Sequence, residues 1–107
     1  MVVFGLKDSY INQICCKLAL FPEIEEAIIF GSRAMGNYKK GSDIDLALKG
    51  DRVSRATLNK LRIELEEKTC LPYSFDVLVL NSISNKNLMD HISNLGKRFY
   101  QNRKAQK

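Results

Sequence analysis

Hydrophobic positions near the start of the chain recur with the period of an α-helix. Over residues 8–20 they fall at i, i+3, i+4 and i+7, the spacing of a helix with one buried face, at Ile11, Ile14, Cys15 and Leu18. An Asp-Ser pair can cap the start of this segment and a proline follows its end, which are common signals at helix termini. The pattern therefore predicts a first helix over residues 8–20.

Two later segments carry the same helical period. Residues 54–69 place leucines on one face after a Ser or Thr that can cap the first turn, and a proline lies beyond them. The last segment begins near Ser84, and its apolar residues are spaced i, i+4, i+7 and i+11, at Leu88, Ile92, Leu95 and Phe99. We therefore predict a helix over 54–69 and a final helix that runs through Phe99.

Between these helices lie three stretches typical of β-strands. Residues 25–31 are a short apolar run closed by a glycine, residues 42–49 alternate apolar with polar positions, and residues 73–80 carry a central aspartate. One or two helical turns are expected from Ser32, broken at Gly36. The predicted order is α-β-(α)-β-α-β-α, which gives a small α/β fold with a three-stranded sheet flanked by helices.

Composition narrows the class of protein. The 107 residues fit one domain, which we place at residues 1–100, with 101–107 as a basic C-terminal tail. No stretch approaches the ~20 apolar residues of a membrane span, and the start lacks the pattern of a signal peptide. Three cysteines without a CxxC spacing indicate neither a disulfide framework nor a zinc site, and favour a reducing cytoplasm. The net charge of +5 is only weak evidence for nucleic-acid binding, because no recognised motif accompanies it, so nucleic acid is an unlikely direct target.

An Asp-x-Asp pair interrupts the second predicted strand. Because Asp is depleted in strands, folding alone does not explain Asp43 and Asp45. Strand residues two apart project from the same face, so these carboxylates repel unless a proton or a cation lies between them. Asp76 supplies a third carboxylate from the next strand. Mg²⁺ binds such hard oxygen ligands, and three carboxylates suit two ions arranged for in-line displacement at phosphorus.

The residues before this strand suit a phosphate group. Gly31 lets the backbone approach a ligand closely, and the hydroxyl of Ser32 adds a hydrogen-bond donor at the start of the short helix. Arg33 can bind phosphate oxygens with two parallel hydrogen bonds. A lone Gly-Ser or Asp-x-Asp means little, so the prediction depends on the ordered combination of all these features.

That combination, carried by GSRAMGNYKKGSDIDLAL at residues 31–48 and by the later strand aspartate, resembles the signature of the DNA polymerase beta-like nucleotidyltransferases. More narrowly, the chain resembles the minimal nucleotidyltransferase (MNT) proteins, over nearly its whole length. The resemblance implies the small nucleotidyltransferase fold with a mixed sheet. It also implies transfer of a nucleoside monophosphate, AMP from ATP above all, to a hydroxyl acceptor.

The resemblance implies roles for six residues and identifies a partner. The triphosphate of ATP or another NTP would be held by Gly31, Ser32 and Arg33. Two Mg²⁺ ions would be bound, and catalysis carried out, by Asp43, Asp45 and Asp76. The last of these would also help deprotonate the acceptor hydroxyl. MNT proteins commonly act as antitoxins beside a small helical toxin called HEPN, and transfer AMP to one of its tyrosines.

Some alternatives stay open at this point. Many relatives carry a second Arg where Met35 stands. If that Arg binds phosphate, either Lys39 or Lys40 takes its place here or nucleotide binding is weaker. A small-molecule acceptor, such as an antibiotic hydroxyl, would need a pocket completed by a second domain or a homo-oligomer. A module that neutralises its partner by binding alone would need no catalysis. The single histidine, His91, is expected to be structural, with a general-acid role as the minority interpretation.

Overall fold

The computed structural model describes residues 2–39 and 42–102. Four helices lie in this part, α1 Asp8–Leu18, α2 Ser32–Met35, α3 Arg55–Glu66 and α4 Lys86–Leu95. The strands in it are β1 Val2–Val3, β2 Leu6–Lys7, β3 Glu26–Phe30, β4 Ile44–Lys49, β5 Phe75–Val79 and β6 Lys97–Gln101. A 3-10 turn, Leu80–Ser82, follows β5.

Two of the predicted helices, α3 and α4, begin with side-chain caps, whereas the N-cap residue of α1 is Lys7 and not the expected Asp8 or Ser9. At the start of α3, Thr57 N–H donates to Ser54 Oγ and Ser54 N–H donates to Thr57 Oγ1, each at 3.3 Å, which is a reciprocal capping box. At the start of α4 the Asn85 side-chain oxygen accepts from two amides of the first turn. The first and third helices end earlier than predicted, at Leu18 and Glu66.

The central sheet is mixed and has the strand order β5-β4-β3-β6. β3 runs antiparallel to both of its neighbours, whereas β4 and β5 are parallel and α3 makes the crossover between them. β1 and β2 form a separate two-stranded hairpin at the start of the chain. The predicted α/β class with helices around a mixed sheet is confirmed.

The predicted strand count is wrong, because the final helix stops at Leu95 and a fourth strand follows it. Gly96 adopts an extended conformation, and a side chain at this position would collide with the Ile92 carbonyl and the Ile28 side chain. Phe99, which matched the helical period, therefore lies in β6, and Leu95 is 43% exposed instead of buried. Only Phe99 lies beyond the glycine, and its fit to the helical spacing extended the predicted helix too far.

The C-terminal end of the described chain belongs to this sheet. β6 ends at Gln101, and the Asn102 N–H donates to the Glu25 carbonyl at 2.9 Å. The expected domain boundary at residue 100 therefore falls inside a strand, and residues 103–107 of the expected tail lie outside the described residues. None of the described helices is both long and apolar enough to cross a membrane.

Side chains of β4 divide the interior into two clusters. Those at even positions join α1 and α3 on one face of the sheet, and include Ile44, Leu46 and Leu48, all fully buried. Ala47 points to the other face, where it packs with Phe30 and with Ile92 of α4. Because strand residues alternate, Asp45 projects on the same face as Ala47 and therefore on the side that α4 covers.

Candidate active site

Two of the predicted carboxylates stand side by side at one end of the sheet. Asp45 is the second residue of β4 and Asp76 the second residue of β5, and they are register partners in the parallel pair. Neighbouring strands are about 4.8 Å apart, so both side chains emerge from adjacent backbones on one face. Asp43 lies just before β4 and is exposed, as is Asp76, whereas Asp45 is half-buried.

The electrostatics of this carboxylate group are unfavourable for a protein without a bound cation. Burial, and then the negative charges of Asp76 and Asp43, raise the pKa of the Asp45 carboxyl above its ordinary value. In its protonated form the nearby His91 would lower that pKa, as the smallest of the four influences. A half-buried carboxylate held against like charges favours a proton or a cation in its neighbourhood.

Gly31 closes β3 directly beside this group. Its backbone has φ +77° and ψ −154°, a conformation that side-chain-bearing residues rarely adopt. A methyl group on its Cα would overlap the Asp45 carboxylate. Its carbonyl accepts from the Met35 N–H at 3.1 Å, which starts the turn of α2. The glycine is therefore required both by its own dihedral angles and by the close approach of Asp45.

Ser32 follows as the first residue of α2 and is half-buried. Over residues 2–39 and 42–102 its hydroxyl has no hydrogen-bond partner in the protein. Gly36 ends the helix, as predicted, and its backbone lies in the left-handed region at φ +84°. Met35, where many relatives carry an arginine, is 49% exposed. The structure thus brings Gly31 and Ser32 to the end of the sheet that carries Asp43, Asp45 and Asp76, called the carboxylate edge below, and leaves a hydroxyl donor there.

Arg33 is directed into the protein and not toward the carboxylate edge. It is only 3% exposed. Its Nε and Nη2 donate to the Ser42 carbonyl at 3.1 and 2.9 Å, and its Nη1 donates to the Phe4 carbonyl at 2.9 Å. The guanidinium also lies over two rings, Tyr73 at 4.7 Å and Tyr38 at 5.3 Å from the ring centres. The phosphate contact expected for Arg33 has no support in these contacts.

These contacts give Arg33 a different task, which is to hold the segment that carries Asp43. Ser42 immediately precedes that aspartate, its N–H donates to the Lys39 carbonyl, and its Oγ accepts from the Lys39 N–H. Lys39 is exposed, and Lys40, the other candidate phosphate contact of this loop, lies outside the described residues. The arginine therefore ties α2, the loop before β4 and the N-terminal hairpin together.

His91 is a site residue whose neighbourhood the sequence did not indicate. It lies on α4, and its Nε2 accepts from the Gly31 N–H at 3.2 Å. Its ring meets the Phe30 ring edge to face, with centres 6.3 Å apart. His91 was expected to be a structural residue, at the surface or half-buried, and it is half-buried, but its position beside the carboxylates was not expected. The one available signal was its place on the apolar stripe of α4, three residues after Leu88 and one before Ile92.

The donor chemistry of this edge fits a divalent cation that also binds phosphate. Within the described ranges no three acidic, histidine or cysteine side chains are gathered as a ready-made metal cluster. Mg²⁺ in proteins commonly takes only one or two carboxylates and completes its shell with phosphate oxygens and water. Asp45 and Asp76, adjacent and facing the same side, meet that requirement.

The raised pKa of Asp45 predicts how metal-free stability depends on pH. The folded protein binds this proton more tightly than the unfolded chain does. The protonated carboxyl therefore stabilises the fold at a pH below its ordinary pKa of 3.8, and this contribution is lost as the pH rises through the raised pKa of the folded protein. Glu64, whose pKa the Lys17 ammonium lowers, acts in the opposite direction. We therefore expect the melting temperature of Asp45→Asn, relative to wild type without metal, to increase as the pH rises. Thermal melts over an acid pH series check this, and a constant difference would contradict it.

Comparisons with known proteins support the same fold. One solved structure, described as a toxin-antitoxin with AMP-PNP, contains a chain that is 23% identical, with a TM-score of 0.70 over 88% of this chain and 75% of that one. A mutant of the toxin-antitoxin MntA-HpeT gives 20% identity and a TM-score of 0.68, over 88% and 75%. A complex of tri-AMPylated Shewanella oneidensis HEPN toxin with MNT antitoxin gives 20% and 0.65, over 90% and 73%. The search of curated proteins found no match.

The sequence itself decides the family. Residues 12–105 match the profile described as "Polymerase beta, Nucleotidyltransferase", which is most of the chain and includes every residue of the carboxylate edge. The Gly-Ser pair and the neighbouring aspartates of β4 and β5 are thus found in a matched domain and in one place in space. The chain belongs to the polymerase beta nucleotidyltransferase family.

Proposed function

We propose that the protein transfers AMP from ATP to a tyrosine hydroxyl of a small helical HEPN-type partner, with Mg²⁺, and acts as the antitoxin of that pair in the cytoplasm. The observation that carries this proposal is the register pairing of Asp45 with Asp76 beside Gly31, in a chain of the nucleotidyltransferase family. Two of the similar structures, one with AMP-PNP and one of a tri-AMPylated HEPN toxin with MNT antitoxin, support the choice of nucleotide and partner.

The proposed reaction is a displacement at the α-phosphorus of ATP. The tyrosine oxygen of the acceptor forms a bond to this phosphorus, the bond to the oxygen that bridges the α- and β-phosphates breaks, and pyrophosphate leaves with that electron pair. The proton of the hydroxyl goes to a carboxylate. Bound Mg²⁺ would neutralise the phosphate oxygens on which negative charge builds up.

Each residue of the edge has a defined part in this proposal. Asp43, Asp45 and Asp76 would hold the metal, for which the resemblance implies two ions. Asp76 is exposed near the start of β5, so an incoming hydroxyl can reach its carboxylate to deliver a proton. The Ser32 hydroxyl, which has no partner in the described protein, would donate to a triphosphate oxygen. Gly31 would let that triphosphate approach the backbone.

The acceptor is tested by intact-mass spectrometry of a HEPN-type partner expressed together with this chain. We expect the partner's mass to rise by whole AMP units with the wild-type chain and to stay unchanged with Asp43→Ala/Asp45→Ala. Peptide mapping should place the added groups on tyrosine, and the matching Tyr→Phe variant of the partner should stay unmodified.

Two other results would overturn the assigned acceptor. A stable complex of unmodified mass with both versions would indicate a module that acts by binding alone. An unmodified partner, together with consumption of ATP when small hydroxyl compounds are added, would indicate a small-molecule acceptor.

Asp51→Asn is a suitable control for the loss of one negative charge, because Asp51 is exposed at the other end of β4.

A further inference from the structure

His91 makes a contact that the proposed chemistry does not use. Its Nε2 accepts a hydrogen bond from the Gly31 amide at 3.2 Å, across 60 positions of sequence. A ring nitrogen that accepts a hydrogen bond carries no proton, so the imidazole is neutral with its proton on Nδ1. The Phe30 ring packs against the same imidazole and helps to fix its orientation.

This contact completes the restraints on the Gly31 peptide. The glycine is held on three sides, by the imidazole at its N–H, by the Asp45 carboxylate against its Cα and by the Met35 amide at its carbonyl. Its backbone conformation, with φ +77°, is one of several that a glycine adopts readily, so these contacts select it. Because Ser32 follows directly, the orientation of this peptide decides where the serine hydroxyl points.

The geometry points to His91 as a positioning residue for the nucleotide: its Nε2 holds the Gly31 amide, so that Ser32 faces the carboxylate edge and the Gly31 N–H is withdrawn from phosphate binding. The inference rests on the proposed function, since it assigns part of the nucleotide site. It also limits which groups of that site bind phosphate: the Ser32 hydroxyl and the metal do so, and the Gly31 amide does not. α4 thereby becomes part of the nucleotide site through a single side chain.

Three variants separate the acceptor atom from the bulk of the ring. His91→Phe keeps an aromatic ring against Phe30 and removes the acceptor, whereas His91→Gln places an amide oxygen near the position of Nε2. Ser93→Ala changes an exposed residue of the same helix and serves as the control. Affinity for a non-hydrolysable ATP analogue with Mg²⁺ is measured by calorimetry, and KM for ATP and kcat by partner modification.

Without this acceptor the Gly31 peptide is free to reorient, and restoring its orientation when nucleotide binds costs about one hydrogen bond, which weakens binding about tenfold. We therefore expect His91→Phe to weaken analogue binding and raise KM about tenfold, with a smaller change in kcat, and His91→Gln to lie within about threefold of wild type. Wild-type affinity in His91→Phe would overturn the inference, and so would a His91→Gln variant as weak as His91→Phe.

The tautomer of His91 gives a readout that needs no variant and no nucleotide. Long-range ¹H–¹⁵N spectra of the wild type should place the proton of the neutral ring on Nδ1, and a proton on Nε2 would overturn the inference. This also separates two failures. A wild-type protein that binds no nucleotide overturns the proposed function, whereas tight binding that is insensitive to His91→Phe overturns only the role of His91.

Discussion

Asp45→Asn will lower AMP transfer by about a thousandfold or more and will leave the protein folded, with no loss of stability in the absence of metal. The amide has nearly the same shape as the carboxyl, but it cannot supply the negative charge that a cation and its phosphate ligands need. Asp45 is the half-buried member of the group and stands beside Asp76, so no other side chain takes over its position. Transfer is measured as labelled partner per unit time, and stability by thermal melting.

The absence of any loss of stability is a distinctive part of this expectation. Burial and the charges of Asp76 and Asp43 already disfavour the ionised carboxyl in the metal-free protein, so its removal relieves a repulsion. Asp51→Asn removes an equal charge away from the site and should retain full transfer. Transfer by Asp45→Asn within about tenfold of wild type would place the reaction elsewhere.

Arg33→Met will destabilise the fold by about 3 kcal/mol, the largest stability effect that we expect from a polar residue of this site. The substitution removes three hydrogen bonds to the Ser42 and Phe4 carbonyls and both ring contacts of the guanidinium. Arg33→Lys should recover only part of this loss, because an ammonium group lacks the planar fork that bonds the Ser42 carbonyl twice. Urea denaturation gives the free energy of unfolding of each variant.

The control for this prediction is Arg62→Met on the exposed face of α3, which should change the stability by no more than about 0.5 kcal/mol. The opposite pattern would be informative too. If Arg33→Met has the stability of wild type but a lower affinity for the nucleotide, then Arg33 contacts phosphate, as the chain's resemblance to the family implies. The position of Arg33 in this structure would then differ from its position with ATP bound.

Residue spacing predicted the elements that form one continuous face. The apolar stripe of α1, the capping Ser54 of α3 and the alternation of β4 are all local patterns, and each is confirmed. The β1–β2 hairpin was missed because strands of two residues carry no period. β6 was missed because Phe99 also satisfied the helical spacing, and the single Gly96 decided against it.

The candidate site shows a similar division. Strand alternation predicts which carboxylates share a face. The pairing of Asp45 with Asp76 also requires β4 and β5 to be neighbours, and the sequence does not show which strands are neighbours. His91 reaches Gly31 from a helix far along the chain, and a helical period indicates which side is buried and not what it meets. Arg33 was expected at phosphate because a guanidinium can bind phosphate oxygens with two parallel hydrogen bonds. Its burial was missed because it depends on the Ser42 and Phe4 carbonyls lying close together, which no local pattern shows.

The most direct test of nucleotidyl transfer at this edge is the position of the transferred phosphorus. The protein, Mg²⁺ and a HEPN-type partner are incubated with ATP labelled on the α-phosphate and, separately, on the γ-phosphate. We predict that only the α-label enters the partner, with one pyrophosphate released for each group transferred, and that Asp45→Asn abolishes both. Transfer of the γ-label would contradict this account, because it would make the reaction a phosphorylation and not a nucleotidyl transfer.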